Sequence, residues 1–119
     1  MEKFQDLIVW QKSMQLVKCV YDLTSKIPVH GNFAIIDQMR RAAISIPSNI
    51  AEGYERNSTK EYLRFLSIAA GSKSELHSQV EICKMLSLVS DDDDQLYDSV
   101  INLLVEVGKM LNTIIKKLS

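Results

Sequence analysis

Residues 36–54 read Ile36-Asp37-Gln38-Met39-Arg40-Arg41-Ala42-Ala43-Ile44-Ser45-Ile46-Pro47-Ser48-Asn49-Ile50-Ala51-Glu52-Gly53-Tyr54. Ile36, Met39, Ala43, Ile46, Ile50 and Tyr54 recur at helical spacing and share one face, while Asp37, Arg41, Ser45, Ser48, Glu52 and Glu55 fall opposite. Pro47 stands in the middle. Inside a helix a proline removes one backbone hydrogen bond, clashes with the preceding turn and costs about 3 kcal/mol, so a break near Ile46 is the default expectation. A loop, however, would reset the apolar phase, and here the phase runs on unchanged through Ile46, Ile50 and Tyr54. The pattern therefore predicts one long helix from about Phe33 to Arg56, kinked at Pro47.

The same periodicity extends outward in both directions. From about Asp6 to Lys26, Trp10, Met14, Val17 and Tyr21 form one row at helical spacing, and Leu16, Val20, Leu23 and Ile27 form an adjacent one. So broad a stripe marks a helix that packs against more than one neighbour. Pro28 and Gly31-Asn32 then turn the chain. Downstream, Ser58-Thr59-Lys60-Glu61 is a capping box: the Ser58 hydroxyl can accept the Glu61 N–H while the Glu61 carboxylate returns to the Ser58 N–H. Tyr62, Phe65, Ala69, Leu76, Val80 and Cys83 face one way as far as about Leu86, and Gly71 marks a candidate close approach of another backbone. A last helix opens at Ser90 with Asp91 to Asp94, whose carboxylates suit the positive end of a helix dipole, and buries Tyr97, Val100, Leu104, Val107, Leu111, Ile114 and Leu118. Four amphipathic helices on short connections predict an all-α, antiparallel up-and-down four-helix bundle, a single domain over residues 1–119.

Composition agrees. The chain has 119 residues, 46% hydrophobic and 24% charged, with only four glycines and two prolines, which disfavours a many-stranded sandwich or barrel. No apolar run approaches the roughly 20 residues a membrane span needs. The opening Met1-Glu2-Lys3-Phe4-Gln5-Asp6 lacks the apolar core of a secretory signal, and Cys19 and Cys83 fit buried free thiols, with a single disulfide as the alternative. The expected location is the cytoplasm.

Catalytic signatures are poor. Glu75 and His77 are two residues apart rather than in the Glu-x-x-His spacing of di-iron bundles, and His77 and Cys83, six apart, do not share a helix face. The aspartate run lacks the spaced ligands, central glycine and closing glutamate of a calcium loop. No catalytic residue, metal site or cofactor is predicted. The basic residues Arg40, Arg41, Arg56, Lys60 and Arg64 are the candidate contact to RNA or DNA. Against this, Asp37, Glu52 and Glu61 stand four, four and three residues before Arg41, Arg56 and Arg64, ordinary same-face pairs. Arg40 lies at the edge of the apolar stripe and is expected to find a partly buried carboxylate such as Glu75. Ser48, Asn49 and Glu52 are expected to satisfy backbone groups freed by Pro47. Ile8, Leu103, Val105 and Met110 lie beyond what one bundle interior consumes and are the candidate subunit interface.

Three blocks carry a resemblance. Asp6-Leu7-Ile8-Val9-Trp10-Gln11-Lys12, the stretch from Gln38 to Gly53, and Phe65-Leu66-Ser67-Ile68-Ala69-Ala70-Gly71-Ser72-Lys73-Ser74-Glu75-Leu76 resemble the bacterial four-helix bundle family of 23S ribosomal RNA intervening-sequence proteins. The resemblance spans nearly the whole chain, and the connection with Val29-His30-Gly31 is its least typical part. It implies a second helix that continues through its proline and a homo-oligomer, a pentamer in some members. It also implies kinship with the accessory protein of diversity-generating retroelements, which binds nucleic acid and a reverse transcriptase. The functional expectation is a non-catalytic homo-oligomer, pentameric, contacting RNA or DNA through a basic surface. The alternative is a protein-interaction scaffold with no nucleic-acid role.

Overall fold

The computed structural model describes residues 2–119. Its helices are α1 (Ile8–Thr24), α2 (Phe33–Tyr54), α3 (Thr59–Met85) and α4 (Asp94–Leu118), with short 3-10 turns at Phe4–Asp6 and Asp91–Asp93. Each helix packs against those before and after it, and α4 closes the cycle on α1. The result is an antiparallel four-helix bundle of 44 × 23 × 22 Å.

As the unbroken apolar phase predicts, α2 runs through Pro47 without a break. Ile46 and Ile50 on either side are fully buried, so packing against the bundle outweighs the missing hydrogen bond. The first helix begins later than its apolar pattern suggests. Asp6 donates its N–H to the Lys3 carbonyl and accepts the Lys3 N–H on its carboxylate, both at 3.0 Å, which makes a self-contained turn. Leu7 is then extended and α1 starts at Ile8. Gln11 ties the turn down through its side-chain donor to the Gln5 carbonyl (2.9 Å), and Phe4 meets Trp10 edge-on at 5.4 Å.

The capping box at α3 is half made. The Ser58 hydroxyl accepts the Glu61 N–H at 3.1 Å, but the Glu61 carboxylate turns to the Arg64 guanidinium at 3.0 Å instead of back to Ser58. At the other end Ser87 takes a left-handed conformation (φ 58°) and the Leu88 N–H reaches the Cys83 carbonyl at 2.9 Å, a C-terminal motif that usually employs glycine. The aspartate run is split: Asp91–Asp93 form the 3-10 turn, held by the Ser90 hydroxyl on the Asp92 N–H, and only Asp94 opens α4.

The core is built from Leu16, Val20 and Leu23 of α1, Met39, Ala43, Ile46 and Ile50 of α2, Leu66, Ala69, Leu76, Val80 and Cys83 of α3, and Val100, Leu104, Val107 and Leu111 of α4. These follow the predicted stripes, but Leu66 joins the core unpredicted, and Tyr54, Tyr62, Tyr97, Ile114 and Leu118 are only half-buried. In α1 only the inner row is core; Trp10 and Val17 of the outer row are half-buried, and Met14 and Tyr21 are exposed. A second correction concerns the close approach. A Cβ on Gly71 would meet nothing within 4 Å, whereas one on Gly53 would lie 2.5 Å from the Phe65 Cβ. The tight contact sits where α2 and α3 converge on their short connection.

Candidate interaction surfaces

The structure divides the predicted basic cluster. Arg56, Lys60 and Arg64 come together at the α2–α3 turn, where the guanidinium carbons of Arg56 and Arg64 lie 5.0 and 4.6 Å from the Phe65 ring centroid. Both are already paired, Arg56 with Glu52 and Arg64 with Glu61, each at 3.0 Å. The Glu61 hydrogen bond and charge push the Arg64 guanidinium up, and Arg64 in turn holds the Glu61 carboxyl below its ordinary value. Lys60 is exposed and forms no ion pair with the described residues. Arg41 lies fifteen residues back from Arg56 along the sequence, roughly 22 Å along α2, with its own Asp37 at 2.9 Å.

Arg40 departs from its expected partner. Glu75 is exposed on α3, and Arg40 instead turns to α1, donating Nε–H to the Thr24 hydroxyl at 2.8 Å with its guanidinium 4.4 Å over the Tyr21 ring. Thr24 is buried and donates its own O–H to the Val20 carbonyl at 2.7 Å. A threonine near a helix end carries little sequence signal for such a role.

Two apolar grooves flank α1. One, about 320 Å³, runs between α1 and α2 and is lined by Trp10, Met14, Val17, Ile44, Pro47, Ser48 and Ala51. The other, about 450 Å³, lies between the start of α1 and the end of α4 and is lined by Leu7, Ile8, Val9, Lys109, Met110, Thr113 and Ile114. Of the predicted interface residues, Ile8 and Met110 thus share a groove, Ile8 being 59% exposed. Leu103 stands two helical turns before Met110 on the same side and is half-buried. Val105, 43% exposed, faces the opposite flank of α4.

Polar groups between the helices serve packing. Ser45 and Ser72 share a hydrogen bond of 2.8 Å across α2 and α3, and Asn49 donates to the Ser45 carbonyl and hydroxyl at 2.8 and 2.9 Å. Near the proline, therefore, Asn49 works on the residue two before it rather than on the carbonyl of Ala43 that Pro47 leaves free, Ser48 faces the groove, and Glu52 holds Arg56. Across α3 and α4, the Tyr97 hydroxyl donates to Glu81, and Lys84 pairs with Asp94 at 2.8 Å while lying 4.9 Å from the Tyr97 ring centroid. The hydrogen bond to Glu81, then burial, pushes the Tyr97 hydroxyl up to about 12. Cys83 is buried against the Met39 sulfur at 3.4 Å, and burial pushes its thiol up, which keeps it protonated and inert. Among the described residues no three His, Cys, Asp or Glu side chains converge as ion ligands, and no helix is long and apolar enough to cross a membrane.

The sequence pattern described as 23S rRNA-intervening sequence protein matches residues 5–113. A crystal structure of a protein of unknown function from the S23 ribosomal protein family of Bacteroides thetaiotaomicron is similar at a TM-score of 0.82 and 25% identity, covering 92% of this chain and 99% of that one. No curated protein matches the chain.

Proposed function

The chain belongs to the 23S rRNA-intervening sequence protein family, and on that premise we propose that it is a non-catalytic homo-oligomer, a pentamer by family resemblance, that serves as an assembly scaffold. The observation that carries this reading is the apolar surface left open on both flanks of α1, where Ile8, Met14 and Ile44 are 59%, 43% and 44% exposed. Each such side chain contributes about 1.5–3 kcal/mol when buried, and a monomer has nothing to bury it against. Light scattering tests the reading. Five copies of a 13.5 kDa chain give about 67 kDa, and a mass that stays at one copy across the micromolar range overturns it.

A second reading, contact with RNA or DNA, is supported by the corner where Phe65 holds two guanidiniums beside the free ammonium of Lys60. Repetition in an oligomer would multiply such contacts. The scaffold reading is preferred because Glu52, Glu55 and Glu61 interleave with that corner and the chain carries a formal net charge of −1. A salt series with structured RNA separates the two. Nucleic-acid binding predicts affinity that falls steeply with salt and is weakened more by Arg64→Glu than by Arg41→Glu, since Arg41 is remote. No binding at low salt removes it.

A further inference from the structure

Of the four arginines, Arg41, Arg56 and Arg64 each hold a carboxylate of their own chain. Arg40 holds none among the described residues. Its Nε is spent on Thr24 and its plane rests on Tyr21, which fixes the guanidinium at one end of the α1–α2 groove with its terminal nitrogens free to donate. Beyond it the groove is apolar, through Met14 and Ile44 to Trp10 and Pro47. A half-buried cation at the head of an apolar groove between two helices fits a helix with a carboxylate followed, one and two turns on, by apolar side chains.

This chain carries such a helix face on its own exterior. Asp98, Ile101 and Val105 lie three and seven residues apart along one side of α4. Asp98 is exposed with no ion pair among the described residues, Ile101 is half-buried and Val105 is 43% exposed. The lengths agree as well: Asp98 to Val105 and Arg40 to Pro47 are both seven residues, about 10 Å of helix.

We propose that the Asp98–Ile101–Val105 face of one copy lies in the α1–α2 groove of the next, with the Asp98 carboxylate on the Arg40 guanidinium and Val105 near Pro47. This rests on the self-association reading above and names its contact. The two surfaces are different patches of the protomer, so the contact is heterologous and joins copies head to tail.

Sedimentation velocity on the full chain tests this with Arg40→Glu, Asp98→Arg and the double variant, circular dichroism checking the fold of each. Each single variant weakens association at least about tenfold, and the double variant, which restores opposite charges, recovers most of the loss. Because Arg40→Glu disturbs the contact with Thr24, Asp98→Arg and Val105→Glu, both at exposed positions, provide the test if that variant fails to fold. A wild-type chain that is monomeric at high concentration overturns both the self-association reading and this contact. An oligomer unaffected by Asp98→Arg and Val105→Glu overturns the contact alone, as does a folded double variant with no recovery.

Discussion

At the scale of single residues two of the three helical glycines, Gly53 and Gly71, give the sharpest contrast. A Cβ on Gly53 would collide with the Phe65 Cβ, and one on Gly71 would meet open space. Gly53→Ala is therefore expected to destabilise the bundle by about 1–3 kcal/mol, and Gly71→Ala to stabilise it by about 0.5–1 kcal/mol, both read by urea denaturation. The sequence pointed to Gly71 because it interrupts a thin helical stretch. The glycine that matters is set by where two helices meet, which a one-dimensional pattern does not contain. Tyr97 gives a pH signature. Its hydroxyl titrates near 12 in the folded chain against an ordinary 10, because it donates to Glu81. A group raised in the folded state adds stability that is complete below the unfolded value and disappears as pH rises through the folded one. The stability advantage of the wild type over Tyr97→Phe is accordingly expected to be constant below pH 10 and to vanish between 10 and 12, measured by thermal melts across that range.

At the scale of elements, the four helices and the passage of α2 through Pro47 were legible, because apolar phase is an angular record that a loop would have scrambled. The phase gave the direction of each stripe but not its inner edge. Trp10, Met14, Val17 and Tyr21 are as periodic as Leu16, Val20 and Leu23, and only the position of α2 decides that the first row lies at the rim. Arg40 was legible as an edge residue for the same reason, while its partner Thr24 depended on how α1 and α2 pair. The helix-start signals were readable to within a turn. Ser58 holds the Glu61 N–H, so Ser58→Ala is expected to lower stability by about 1 kcal/mol, whereas Glu61→Gln leaves that cap in place and loses only the exposed pair with Arg64. Chemical denaturation of the two variants side by side checks the difference.

At the scale of the whole molecule the question is what covers α1. Of the predicted surplus apolar residues, Ile8 and Met110 share a groove, and a second groove opens between α1 and α2 along the row of Trp10, Met14 and Val17. The predicted basic surface fares differently: Arg41 lies far from the turn that gathers Arg56, Lys60 and Arg64, and Arg41, Arg56 and Arg64 hold the carboxylates that their spacing in the sequence indicated. Association through the flanks of α1 would cover both grooves. Trp10, the sole tryptophan, lines the α1–α2 groove and reports on it directly. Acrylamide quenching of its emission is the measurement, made on the same protein at high and at nanomolar concentration. Quenching that is weak in the concentrated sample and rises on dilution, as copies separate and the groove opens, is the predicted result. Equal quenching at both concentrations, in a sample whose mass is that of one chain throughout, would contradict it.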